Sequence, residues 1–312
     1  MSGSGMRGRG VSGGAALRLP ARAKLNLWLR VVGRRADGYH LLTTLFHALE
    51  LHDDVAVALA DQGIAMAITA DAPVLAVPPG PGNLVEQALH ALAERVGYRG
   101  GFRAQLHKRI PHGGGLGGGS SDAAAALRLG NALLGAPLAA AELQALAASL
   151  GADCAFFLRG GSQWGRGVGD ELSPAQVAAR HFVLVCPPFG CPTVAVYKTF
   201  AALWQERAPD DTVEQNPAVD EPEALLQRGF RNDLRAAAER VQPALAPLRQ
   251  RVAELARQEV SMTGSGSTLF VPFAVASDAQ RCAQDLEPLA ADGVRILVTR
   301  SAAAGVDAPT AI

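Results

Sequence analysis

At 312 residues, 49% hydrophobic and 19% charged, the chain has the composition of a globular protein large enough to bury a sizeable core and divide into two domains. Lys plus Arg balances Asp plus Glu at 29 each, so no net positive field argues for nucleic acid or an anionic membrane as partner. No apolar run approaches the roughly 20 residues that span a bilayer, and Cys154, Cys186, Cys191 and Cys282 have neither CxxC nor metal-ligand spacing. A cytoplasmic protein with a small ligand, free thiols and no zinc is the class that remains.

Residues 1–14 are rich in Gly, Ser and Arg and lack an apolar h-region, so they read as a disordered leader and not as a secretory signal. From Leu17 to Val31 the pattern alternates, with Leu25, Leu27, Leu29 and Val31 on one face and Lys24, Asn26, Trp28 and Arg30 on the other. Period two predicts a half-buried strand and puts Lys24 beside Asn26. A lysine on such a face is ordinarily solvated, so this one needs a partner from elsewhere to signify more. The Asp37-Gly38 step predicts a hairpin turn. Tyr39 and His40 follow it, a pair able to stack on and hydrogen-bond to a flat heterocycle, or simply to close the turn. Leu41–Glu50, Val55–Leu59 and Ile64–Thr69 predict further strands of a β-rich first section.

Leu84–Val96 is an amphipathic helix ended by Gly97, and Phe102–Ile110 alternates as a strand. That strand delivers the chain into Pro111-His112-Gly113-Gly114-Gly115-Leu116-Gly117-Gly118-Gly119-Ser120-Ser121-Asp122, which opens an alanine-rich helix with Ser120, Ser121 and Asp122 as N-cap candidates and Gly135 as its stop. At a helix N-terminus unpaired N–H groups and the positive dipole end converge on an anion, and glycine lets a polyphosphate approach the main chain. The loop reads as a phosphate cradle. It is not a Walker A loop, which would end in Gly-Lys-Ser/Thr, and it lacks the context of a Rossmann fingerprint.

A second helix from Pro137 to Leu150 ends at Gly151, and Asp153 follows as the lone charge before an apolar strand, Cys154–Leu158. The negative end of a helix disfavours a carboxylate there, so a compensating cation is expected, with Lys24 the candidate. A turn Asp bonded to its own backbone is the alternative. Gly160–Gly169 predicts a strand-turn-strand crossing into the second domain, and His181–Cys186 a buried strand. Pro192-Thr193 starts a segment carrying Tyr197. Residues 205–224, rich in Asp, Glu, Pro and Gln, predict a mobile surface connection. A helical pattern then reaches the 250s. Thr263-Gly264-Ser265-Gly266 precedes the β-run Leu269–Phe273 and reads equally as a tight turn or a ligand contact. A helix at Asp278–Leu289, a strand at Val294–Val298 and a fraying tail complete the chain.

These motifs resemble the GHMP kinase superfamily from Leu19 to about Ala303. Pro20-Ala21-Arg22-Ala23-Lys24-Leu25-Asn26-Leu27, the loop from Pro111 to Ala124, and Thr263-Gly264-Ser265-Gly266 occur in that family's order. Arg35-Ala36-Asp37-Gly38-Tyr39-His40, with Lys24-Leu25-Asn26-Leu27, looks like its diphosphocytidyl-methylerythritol kinase branch. The resemblance implies a two-domain α+β fold with an ATP-binding domain at 15–165, a substrate domain at 166–305, a tail at 306–312 and the active site in the cleft between the domains.

It further implies that Asp153 takes the proton of the acceptor hydroxyl and that Lys24 pairs with Asp153 and orients that hydroxyl. Tyr39 and His40 would bind a cytosine ring, Tyr197 would close its other face, and Asn26, Gly264 and Ser265 would touch the substrate. Pro111, Gly113, Gly114, Gly115, Leu116, Gly117, Gly118, Gly119, Ser120 and Ser121 would hold the phosphates of ATP, with Mg²⁺. The implied reaction moves the ATP γ-phosphoryl group to the 2-hydroxyl of a cytidyl diphosphate substrate. One departure stands out, because the family commonly has an aliphatic residue and then Pro after its catalytic Asp, whereas Cys154 and Ala155 stand here. Losing Pro frees an N–H and loosens the loop. A GHMP kinase of mevalonate, homoserine or a sugar, and a catalytically silent nucleotide-binding regulator on the same fold, stay open as alternatives. A homodimer is compatible with the sequence, which does not set the oligomeric state.

Overall fold

A computed structural model describes residues 16–72, 77, 79–80, 82–206, 221–303 and 305–312. The expected leader, and the 207–220 part of the expected mobile connection, lie outside the described residues.

Two sheets organise the chain. In the first, β1 (Leu17–Arg34) and β2 (His40–Ala60) pair antiparallel along their lengths, from Leu17 opposite Val57 to Arg34 opposite His40. The half of β2 near Ala60 pairs with β4 (Gly101–Lys108), which runs parallel to β3 (Ile64–Ala70). Its other half, Thr44–His47, pairs with β5 (Ser162–Arg166), and β5 forms a hairpin with β6 (Glu171–Pro174). Helices α1 (Leu84–Val96), α2 (Gly118–Leu133), α3 (Ala140–Leu150) and the turn α4 (Cys154–Phe157) belong to this half. Leu89 and Leu92 of α1 and Leu127 of α2 share one core with Leu19, Val55 and Phe102 of the sheet. The second sheet has the order β10-β7-β9-β8, with β7 (His181–Cys186), β8 (Ser261–Met262), β9 (Leu269–Phe273) and β10 (Arg295–Arg300). Around it lie α5 (Thr193–Glu206), α6 (Pro222–Gln227), α7 (Arg235–Val241), α8 (Leu245–Ala256) and α9 (Ala276–Leu286).

The expected half-buried first strand is buried on both faces from Ala23 to Leu29. Leu25, Leu27 and Trp28 share a core with Phe182, Leu184 and Phe270 of the second sheet, so the strand is sandwiched between the two halves of the molecule. Register shifts between Arg22 and Lys24 and between Asn26 and Trp28 mark bulges, which re-aim the side chains between them. Lys24 and Asn26 are each only 3% exposed. A charge in that position requires partners.

Several expected boundaries shift. The strands expected at Leu41–Glu50 and Val55–Leu59 are one strand, because the polar residues between them stay in register with β1, Asp53 opposite Ala21. The cap of α2 is Gly117, left-handed at φ 74°, so Ser120, Ser121 and Asp122 fall inside the helix instead of capping it. The helix expected from Pro137 starts at Ala140. The expected apolar strand after Asp153 is the helical turn α4, four apolar residues being too few to carry a period. The Gly160–Gly169 region is a β-hairpin, but both its strands stay in the first sheet, and the chain reaches the second only after Pro174. Residues 205–206 and 222–224, expected in a mobile connection, are helical. The tail does not fray: β11 (Thr310–Ala311) pairs with the edge of β1, and Asp307 accepts from Arg22 Nε at 2.7 Å.

Candidate active site

The glycine loop leaves β4 and enters α2 through backbone that only glycine adopts freely. Gly115, at φ 80°, lies so close to the carbonyl of Thr263 that any Cβ there would collide with it. Gly117 packs equally tightly, its missing Cβ falling 2.8 Å from Phe157 Cζ and 3.1 Å from Lys24 Cγ. Backbone bonds tie the loop to β1 and to the stretch just after Thr263–Gly266: Lys24 N–H donates to Leu116 O at 2.9 Å and Thr268 N–H to Gly114 O at 3.1 Å. Ser121 N–H closes the first turn on Gly117 O at 2.9 Å, so the N–H groups of residues 118–120 remain as open donors at the positive end of the helix. Gly113 and Gly119 are exposed. The loop is pinned on its inner side and open to an anion on its outer side.

Beside it, Lys24 Nζ donates to Asn26 Oδ1 at 2.6 Å and stands 3.4 Å from Asp153 Oδ2. The ring of Phe46 lies 5.6 Å from the same ammonium. Lys24 is thus the cation expected for Asp153, although the reason differs from the sequence argument, since Asp153 here precedes the helical turn α4. Asp153 stays partly exposed, its side chain 32% accessible against 4% for Lys24. A buried ammonium therefore faces an accessible carboxylate at the foot of the glycine loop.

The hairpin between β1 and β2 brings His40 onto α5. Its ring lies 5.3 Å from that of Tyr197, tilted by 32°, and 5.8 Å from Phe200 edge-on. Tyr39 points outward and is 66% exposed. Burial, and then the charge of Arg34, lower the His40 pKa, so its imidazole is neutral at pH 7. Burial raises the Tyr197 phenol, and the charge of Asp153 raises it further. In the third motif Ser265 Oγ is 2.9 Å from Thr193 Oγ1 at the start of α5, and Gly264 O accepts from Asn232 Nδ2 at 2.8 Å. The structure therefore gathers Lys24, Asn26, Asp153 and the loop into one cluster and His40 with Tyr197 into an adjoining one. Tyr39 joins neither.

Sequence reasoning missed four groups that hold the site. Thr263, fully buried, accepts from Asn26 N–H at 3.0 Å with its hydroxyl 3.4 Å from Gly115 O, so a single side chain binds all three motifs together. Asn232 reaches the carbonyls of Met262 and Gly264, and Thr44 holds the amide of Asn26. Beneath the loop, Lys108 is shared by Asp53 and Asp122, all three buried. The signal for these was weak: a charged residue breaking the apolar alternation of β4, and hydroxyls in apolar strands. Among the described residues no three His, Cys, Asp or Glu side chains gather as a metal-ligand set.

Residues 83–161, from the cap of α1 to the start of β5, match the family model described as GHMP kinases N terminal domain. Over 280 residues the chain is 37% identical to the 4-diphosphocytidyl-2-C-methyl-D-erythritol kinase of Moorella thermoacetica, covering 87% of this chain and 95% of that protein. It is 39% identical over 276 residues to the enzyme of the same name from Ralstonia nicotianae, covering 86% and 89%. A crystal structure of 4-(cytidine 5'-diphospho)-2C-methyl-D-erythritol kinase matches the fold with a TM-score of 0.74 and 35% identity, covering 92% of this chain and 99% of that one. A mevalonate kinase structure matches at TM-score 0.60 and 12% identity, a likeness of fold alone. The chain belongs to the 4-diphosphocytidyl-2-C-methyl-D-erythritol kinase family, within the GHMP kinases, and has their two-sheet α+β fold.

Proposed function

We propose that the chain transfers the γ-phosphoryl group of ATP to the 2-hydroxyl of 4-diphosphocytidyl-2-C-methyl-D-erythritol, a step of isoprenoid precursor synthesis by the non-mevalonate route. The observation that carries this reading is the Lys24–Asp153 pair, 3.4 Å apart, at the foot of a glycine loop whose helix opens toward it. Phosphoryl transfer asks a protein mainly for positioning and charge stabilisation. Asp153 aligns the acceptor hydroxyl and receives its proton as the new P–O bond forms. Lys24, with one N–H on Asn26, directs another toward the reacting oxygen.

Pro111 and residues 113–121 form the cradle of the triphosphate, with the open N–H groups of residues 118–120 as its donors. Mg²⁺, when bound with ATP, neutralises charge on the β- and γ-phosphates. Mg²⁺ keeps several waters and needs few protein ligands, and the partly exposed carboxylate of Asp153 would be the oxygen on hand for it. His40 and Tyr197 are too close for a third ring between them, so the cytosine binds beside that pair and not between its rings, and Tyr39, which points outward, would have to turn inward to reach it. Asn26, Gly264 and Ser265 contact the methylerythritol end. The first sheet with α1–α4 forms the ATP half and the second-sheet half closes the substrate side. No described helix is long and apolar enough to cross a membrane; the working setting proposed is the cytoplasm, with a small-molecule partner.

Asp153→Asn, correctly folded, should lose about 10²–10⁴-fold in turnover while still binding the cytidyl substrate. Near-wild-type turnover would refute the assignment. Competition by CMP or CDP separates this reading from a mevalonate, homoserine or sugar kinase, for which a base-binding aromatic group has no use.

A further inference from the structure

The chain of hydrogen bonds behind Lys24 has only one possible direction. It begins at the carbonyl of Trp28, at the bulge where β1 slips against β2, and a carbonyl can only accept. Thr44 Oγ1 donates to it at 2.9 Å and thereby spends its one hydrogen. Thr44 must then be an acceptor toward Asn26, whose Nδ2 lies 2.8 Å away. That turns Oδ1 of Asn26 toward Lys24, which donates to it at 2.6 Å. The opposite amide orientation would set acceptor against acceptor at Thr44 and donor against donor at Lys24. Thr44 is fully buried and Asn26 and Lys24 are 3% exposed, so little water is at hand to repair a reversed bond.

We propose that Thr44 is a positioning residue for phosphoryl transfer: by fixing the orientation of the Asn26 amide it aims the Lys24 ammonium at Asp153 and the acceptor hydroxyl. Thr44 touches neither reactant in this scheme and acts through Asn26 and Lys24. Thr263 supports the same amide from its other side, 3.4 Å from Oδ1, but its hydroxyl is also within reach of Gly115 O and so does not set the polarity. The inference rests on the proposed roles of Lys24 and Asp153.

Thr44→Val keeps the shape and removes both the donor and the acceptor, whereas Thr44→Ser keeps both. The measurements are kcat and both KM values, with folded enzyme counted by the stoichiometry of ATP-analogue binding. The expected result is a kcat about tenfold or more below wild type in Thr44→Val, both KM values within about twofold, and recovery to within about threefold in Thr44→Ser. If Val at 44 prevents folding, Thr44→Ala is read in the same way. A kcat within twofold of wild type, a loss that falls on KM, or a loss that serine does not repair overturns the proposal. Asp153→Asn, assayed alongside, keeps the two claims apart. If it is inactive while Thr44→Val is normal, only the role of Thr44 fails; if it is active, the assignment beneath both fails.

Discussion

Lys108 Nζ donates to Asp122 Oδ2 at 2.7 Å inside the protein, in the first turns of the helix that follows the glycine loop, and Asp53 holds the same ammonium. The two carboxylates are not equivalent. Asp53 also accepts the N–H of Ile110 at 2.8 Å and that of Arg109, while Asp122 Oδ1 meets no protein donor. With one ammonium between two acids, the less supported acid is the one that takes up a proton. Burial pushes Asp122 up to about 8; Lys108 opposes that rise and Asp53 adds to it. Burial also pulls on Lys108, but the two carboxylates hold it above its ordinary value.

The first prediction concerns stability. The folded pKa of Asp122 lies above its unfolded value of 3.8, so folding takes up a proton between those values. Stability from this group is full below pH 4, falls as the pH rises to about 8, and stays low above it. Asp122→Asn should flatten that limb and melt higher than wild type at pH 9, with the difference shrinking at pH 5. Thermal melts across that range decide it, and a parallel pH profile in both proteins would exclude the assignment.

His47 makes the opposite prediction. Its two ring nitrogens meet Ser162 Oγ at 2.8 Å and Ser301 Oγ at 2.7 Å, joining β2 to β5 and to the end of β10. Burial, and then the charge of Arg180, lower its pKa to about 4. A depressed pKa contributes stability that is present above the unfolded value near 6.5 and is lost as the pH falls toward 4, about 3 kcal/mol in all at roughly 1.4 kcal/mol per unit. Urea unfolding of His47→Gln should show lower stability at pH 7 but a flatter decline between pH 6.5 and 4.

Most of the fold was readable because its long elements carry strong periods. The alternation of Leu17–Val31 and the glycine loop before an alanine-rich helix located β1 and α2. What escaped was set by tertiary pairing. Cys154–Phe157 is too short to show whether it is strand or helix, and Asp53 gives no hint in one dimension that Lys108, 55 residues away, will need it. Thr44 and Thr263 look like ordinary strand and turn hydroxyls; their roles arise because two sheets close over them. The Lys24–Asp153 contact was legible as a pair of residue types. The hydrogen bonds behind Lys24 were not.

Glycines of the loop should separate by what lies beside them. Gly113, at φ 72°, has open space where a Cβ would project, so Gly113→Ala should cost about 1–2 kcal/mol from the left-handed backbone alone. Its methyl would stand in the open side of the cradle and weaken ATP binding. Gly115→Ala adds a collision with the Thr263 carbonyl, and so should lose clearly more stability together with ATP affinity. Urea denaturation with titration of a non-hydrolysable ATP analogue tests both. Unchanged ATP affinity in Gly113→Ala would place residue 113 outside the cradle.

The last prediction follows from His40. Its neutral imidazole can accept or donate one hydrogen bond to a base edge, whereas the imidazolium only donates. The pKa is lowered first by burial against α5 and then by Arg34, so the neutral form persists below the ordinary pKa of 6.5. The KM for the cytidyl substrate should therefore be flat above neutrality and rise as the pH falls through the acid range, while the KM for ATP does not follow it. Arg34→Ala removes the repelling charge, raises the His40 pKa and moves the onset of that rise to higher pH. His40→Gln, which cannot titrate, should have a higher but pH-independent substrate KM. If the acid rise persists in His40→Gln, another group carries it, and His40 is not at the base.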